Sequence, residues 1–142
     1  MKSIRYLLVE DQLPDQFYTE VLIRNDQPQA TVEIVGDGQQ ALNVLMEASD
    51  LAPPDVVPAP DVILLDINMP KMDGFEFLEA FSRAVAQGEL RQRPLVLMLT
   101  SSDGVADRER ANRYPCVYGY LVKPIDIEAL NRVLKQAWDA DD

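Results

Sequence analysis

Short apolar runs recur along the chain, at Ile4–Val9, Ala30–Val35, Val62–Asp66, Pro94–Leu99 and Tyr118–Val122, the third of them rich in β-branched residues. Runs of this length, bounded by polar or turn-forming residues, read as strands, and the uninterrupted VILLD run as one buried on both faces. Between them the apolar positions change to helical spacing. Leu78, Phe81 and Val85 form one stripe in mid-chain, and Ile127, Leu130, Leu134 and Ala137 form another near the end. Asp126 is placed to cap that last helix, and Ile125 and Leu130 to staple its entry. Strands alternating with helices predict an α/β fold, a doubly wound five-stranded parallel sheet with helices on both faces.

Two segments depart from this rhythm. SDLAPPDVVPAPD carries four prolines between the second helix and the third strand, which predicts a solvated loop insertion at about 49–60. VGDGQQAL places Gly36, Gly38 and Ala41 in a GxGxxA pattern. A dinucleotide-binding unit carries that pattern after its first strand, and here it follows the second. Asp55, at about the right distance downstream, falls in the proline loop, so the glycines read as turn formers.

At 142 residues, 47% hydrophobic and 26% charged, the chain suits one globular domain, and residues 1–142 are expected to form one. No apolar run approaches the roughly 20 residues that span a bilayer, and the opening MKSIRYLLVED is too short and too soon acidic for a signal peptide. A cytoplasmic location without membrane attachment is the expectation. The net charge of −11 argues against direct DNA binding, which needs clustered Lys and Arg. A single cysteine, Cys116, excludes an internal disulfide and reads as a small buried hydrophobe. The complete absence of histidine removes Ser-His-Asp and Cys-His catalysis, HExxH metal sites and any phosphohistidine role. Chemistry is left to carboxylates, hydroxyls, lysine and a hard metal ion.

Those groups gather at strand ends. Asp66 closes the run VILLD, Glu10 and Asp11 close the first strand, and in a doubly wound sheet these ends meet at the topological switch point, where ligands bind. Three carboxylates so close would resist ionisation without a cation. An all-oxygen set suits Mg²⁺ or a similar ion such as Mn²⁺. LTSS and LVKP bring the Thr100 hydroxyl and the Lys123 ammonium to the same edge. The set matches phosphoryl transfer, in which a carboxylate attacks phosphorus in line while the metal and lysine neutralise charge.

VED after the first strand, LLDINMPKMDG after the third, LTS after the fourth and YLVKP at the fifth together resemble the receiver domains of two-component response regulators, over nearly the whole chain. The resemblance implies the flavodoxin-like, CheY-like fold with strand order 2-1-3-4-5. It implies Asp66 as phosphoacceptor, Glu10 and Asp11 as metal-binding acids beside it, and Asn68 giving Mg²⁺ its backbone carbonyl. Thr100 and Lys123 become the phosphate-sensing hydroxyl and lysine, and Tyr120 the aromatic switch, rotating from an exposed to a buried rotamer when Thr100 is drawn to a phosphoryl group. Asn68 and Ser102 are expected to tune dephosphorylation. Met69, Pro70 and Gly74 are expected to have a structural role, the proline and glycine shaping the turn into the following helix. Cys116 and Val117 stand where the family often has Gly-Ala, so the approach to the switch strand packs differently.

The implied partners are a sensor histidine kinase or a histidine phosphotransfer protein, and a protein output partner met as a monomer or as a phosphorylation-dependent dimer. The expectation is a stand-alone receiver with no output domain, a signalling switch and not a turnover enzyme. Two competitors remain. Phosphatases with an aspartyl intermediate commonly carry a second acid two residues after the nucleophile, where this chain has Asn68. A phosphorylation-independent interaction module is disfavoured by intact Asp66, Thr100 and Lys123.

Overall fold

The computed structural model describes residues 3–50, 59–67, 69, 72–90, 93–100 and 105–139. Most of the proline-rich segment, together with Asn68, Pro70 and Ser102, lies outside the described residues. Five strands, β1 (Arg5–Val9), β2 (Thr31–Val35), β3 (Val62–Asp66), β4 (Leu95–Thr100) and β5 (Val117–Val122), alternate with α1 (Leu13–Asp26), α2 (Gly38–Asp50), α3 (Gly74–Ala86), α4 (Val105–Ala111) and α5 (Ile127–Asp139). All strand pairs are parallel, in the order β2-β1-β3-β4-β5. The fold expected from the sequence is the one observed. The apolar runs coincide with the strands, and their ends move by no more than a residue, most usefully where Thr100 joins β4.

Because successive strand side chains point to opposite faces, each strand feeds two cores. Leu7, Val9, Ile63, Leu65, Val96 and Met98 face one side, where Ala41, Leu45, Phe75, Leu78, Phe81 and Ala111 from α2, α3 and α4 cover them. Tyr6, Leu8, Val62, Leu64, Leu97 and Leu99 face the other, under Ile23 of α1 and Leu130 and Leu134 of α5. Every residue of β3 is buried, as its uninterrupted apolar run requires. Each fully buried Leu, Val or Ile contributes on the order of 1.5–3 kcal/mol, so the central strand is the most firmly held element of the sheet.

Caps set where the helices begin. Asp73 accepts from the Glu76 backbone N–H at 2.9 Å, and the Glu76 carboxylate accepts from the Asp73 N–H, a reciprocal capping box at the start of α3. Asp37, buried at the head of α2, accepts from the Gln40 N–H at 2.9 Å. The predicted staple is present: Ile125 and Leu130 are both buried in the α1–α5 core. Cys116 is half-buried, not fully buried, with its Sγ 3.6 Å from Ser82 Oγ. No helix among the described residues is long and apolar enough to cross a membrane.

Candidate functional site

The parallel register brings the chemistry-bearing residues together. β3 lies between β1 and β4, so Asp66, its last residue, emerges between Glu10 and Thr100. Pairing continues just past the strands: the Ile67 N–H donates to Leu99 O at 3.2 Å, and the Lys123 N–H donates to Thr100 O at 2.7 Å. That last bond sets Lys123 beside Thr100. Glu10, Asp66 and Thr100 are only 1%, 4% and 2% exposed.

Lys123 Nζ lies 2.7 Å from Glu10 Oε1, 3.3 Å from Asp66 Oδ1 and 3.3 Å from Asp15 Oδ2. Glu10, Asp11 and Asp66 each offer a carboxylate oxygen, and these atoms lie within 4.8 Å of one another. Asp11 Oδ1 is buried and has no hydrogen-bond partner. A buried, unpaired carboxylate oxygen is costly unless something positive completes it. Together with the two neighbouring acids, it makes a donor set that fits a hard divalent cation.

Electrostatics reflect the crowding. Burial, opposed by the Lys123 hydrogen bond and reinforced by the Asp66 charge, pushes the Glu10 carboxyl up to about 7. For Lys123, burial disfavours the charged form, but the Glu10 hydrogen bond and the charges of Asp66, Glu10 and Asp15 outweigh it, so its pKa rises above the ordinary lysine value.

Two glycines let the surrounding backbone close on this edge. A Cβ on Gly74 would sit 2.7 Å from Asp66 O, and one on Gly38 would sit 2.8 Å from Met72 Cγ. The Gly38 N–H instead donates to Met72 O at 3.2 Å. The second glycine of the GxGxxA pattern therefore serves close contact with Met72 in the segment after β3.

Tyr120 pairs with Met98, two residues before Thr100 on β4, so Tyr120 and Thr100 share a face of the sheet. The Tyr120 ring is half-buried against the α2–α3–α4 core, and its hydroxyl donates to Arg108 O at 3.1 Å and to Asn112 Oδ1. The structure thus brings together Glu10, Asp11, Asp66, Thr100 and Lys123, with Tyr120 alongside, while Asn68 and Ser102 fall outside the described residues. Sequence reading missed the part played by the first turn of α1. The Gln12 N–H donates to Glu10 Oε2 at 3.2 Å, the Gln16 side-chain amide to Glu10 O at 2.7 Å, and Asp15 joins the lysine. A signal was present in EDQLPDQ, where Pro14 falls at the head of a helix that begins two residues after the acids and puts Asp15 in its first turn.

Comparison with known proteins agrees with this fold. The family model described as the response regulator receiver domain matches residues 6–135. A response regulatory protein of Vibrio parahaemolyticus is 29% identical over 92% of this chain and 46% of its own length. The chain spans about half the length of the first curated relatives it matches, or less. A two-component response regulator from Cytophaga hutchinsonii superposes with a TM-score of 0.82 at 26% identity, covering 97% of this chain and 99% of that one. The fold is also that of the receiver domain of a Saccharomyces cerevisiae response regulator, solved with a histidine phosphotransfer protein, at TM-score 0.75 and 21% identity over 94% of this chain and 87% of that one. The chain belongs to the family of response regulator receiver domains.

Proposed function

We propose that this receiver is a phosphoacceptor switch of a two-component relay and that Asp66 carries the phosphoryl group. The supporting observation is the position of Asp66: buried at the end of the central strand, 3.3 Å from the Lys123 ammonium and within the carboxylate cluster that leaves Asp11 Oδ1 unpartnered. One Asp66 carboxylate oxygen forms the O–P bond as the P–N bond of a donor phosphohistidine breaks. The electron pair stays on the departing imidazole, which takes a proton from solvent. Lys123 faces the charge that develops on the equatorial oxygens, and Thr100 lies at the same edge to accept the new group as a hydrogen-bond partner. Glu10, Asp11 and Asp66, with the Asn68 carbonyl, would hold Mg²⁺ or Mn²⁺, which neutralises phosphoryl charge when bound.

The donor is a sensor histidine kinase or a histidine phosphotransfer protein, the class of partner found with the yeast receiver. Output passes through protein contacts, with Tyr120 and α4 as the moving parts, since its hydroxyl already holds Arg108 O. DNA contact is disfavoured by the net charge of −11. The protein is a switch and not a turnover enzyme, with the cytoplasm as its place of work.

Intact mass after incubation with Mg²⁺ and acetyl phosphate tests this reading. The expected result is a gain of one phosphoryl group that needs the metal and is absent in Asp66→Ala. No gain, with no binding of the phosphoryl mimic beryllofluoride, would turn the assignment to an interaction module that works without phosphate.

A further inference from the structure

Lys123 has one carboxylate partner that belongs neither to the metal-type cluster nor to the phosphoacceptor. Asp15 Oδ2 lies 3.3 Å from its Nζ, as close as Asp66 Oδ1. Asp15 is held there by more than its own ion pair. The Gln12 N–H and the Gln16 side-chain amide both donate to Glu10, so the first turn of α1 is tied to the acid that Lys123 also grips. A negative side chain in a first helical turn is also favoured by the helix dipole. The three contacts differ in exposure: the side chains of Glu10 and Asp66 are 1% and 6% exposed, whereas that of Asp15 is 44% exposed.

We propose that Asp15 is a positioning residue for Lys123, sharing its ammonium in the resting pocket and so competing for it with an incoming phosphoryl group. The inference rests on the phosphoacceptor reading of Asp66. Water screens the Asp15 pair most, so it is the contact Lys123 gives up most readily when a phosphoryl dianion arrives. Release frees the Asp15 side chain, while the Gln12 and Gln16 bonds keep the start of α1 on Glu10. Asp15 thereby raises the threshold for phosphorylation while adding negative potential that favours a divalent cation.

The two effects have opposite signs, and this makes the role testable apart from simple structural support. With Mg²⁺ saturating, Asp15→Asn should bind beryllofluoride about two- to fivefold more tightly by fluorine NMR, the scale of a partly exposed ion pair. In calorimetry without beryllofluoride, the same variant should bind Mg²⁺ more weakly, because one negative charge is gone and the ammonium turns wholly to Glu10 and Asp66. Asp15→Glu should restore both values toward wild type. Weakening of both ligands would show a merely structural residue and overturn the proposal, as would no change in either. If the wild-type protein with Mg²⁺ fails to bind beryllofluoride, the phosphoacceptor reading fails and this one with it. Wild-type binding that Asp15→Asn leaves unchanged defeats the Asp15 role alone.

Discussion

A methyl group on residue 74 would lie 2.7 Å from Asp66 O and 3.0 Å from Ile67 Cα, closer than backbone tolerates. Gly74 opens α3, where alanine would ordinarily be favoured by up to about 1 kcal/mol. The clash is with main chain and has no flexible end to move, so it wins. Gly74→Ala should lower unfolding stability by about 1–3 kcal/mol in urea titration and reduce phosphoryl uptake, since the peptide carrying Asp66 must shift. Gly36→Ala meets only Gln40 Oε1 at 3.9 Å and should stay within about 0.5 kcal/mol of wild type. Equal losses in the two variants would refute the close-approach account. At this scale the sequence was partly legible. Asp66 stood out because a carboxylate closing a wholly apolar run has no packing reason to be there. Gly74 could be read as a turn former, but its closeness to Asp66 O exists only once strand and helix meet. Asp15 could be placed in the first turn of α1, but its pairing could not be read, because Lys123 is 108 residues away.

Between elements, polar ties bridge what apolar packing leaves loose. On the α1–α5 side, Tyr6 of β1 donates its hydroxyl to Gln27 Oε1 at 2.8 Å, Gln27 Nε2 donates to Asn131 Oδ1 of α5 at 3.2 Å, and Asn131 Nδ2 donates to Asp26 Oδ2 of α1 at 3.0 Å. Burial, opposed by the Gln27 bond and aided by the charges of Asp26 and Asp61, pushes the Tyr6 phenol from 10.0 up to about 12. The folded chain therefore keeps a proton that the unfolded chain loses earlier. The resulting stability is full below pH 10 and is lost as pH climbs toward 12. Tyr6→Phe should cost about 1–2 kcal/mol near neutrality, because Gln27 Oε1 loses its donor. In urea midpoints measured up the alkaline range, the gap between the two proteins should narrow above pH 10. A constant gap would mean that Tyr6 does not set the alkaline limit. The strand containing Tyr6 was legible from its apolar run, whereas this network was not, since amide and hydroxyl partners depend on how α1 and α5 dock. The predicted stripes and staple succeeded because periodicity is local; the half-burial of Cys116 is a tertiary outcome that composition does not report.

Across the whole molecule, 24 acids against 13 bases leave a net charge of −11, and three of the acids meet at one buried edge. That arrangement is poor for stability. Like charges repel, Asp11 Oδ1 lacks a partner, and a single ammonium is divided among Glu10, Asp66 and Asp15. The sheet supplies what holds it together, since the strands that present the acids are buried on both faces. If the pocket is a cation site, the same acids should reverse their effect when a cation is supplied. Without Mg²⁺, Asp11→Asn should unfold at a higher urea concentration than wild type, because one repelling charge is removed and the amide can donate to a neighbouring carboxylate. With Mg²⁺ added, wild type should gain stability with concentration, reaching about 2.7 kcal/mol at one hundred times its dissociation constant, and overtake the variant. The crossing of the two curves is the decisive observation. A variant that gained as much from Mg²⁺ as wild type would show that Asp11 is no ligand. A variant already weaker without the ion would show that the acids stabilise the fold directly, and the strain attributed to the pocket would then have another source.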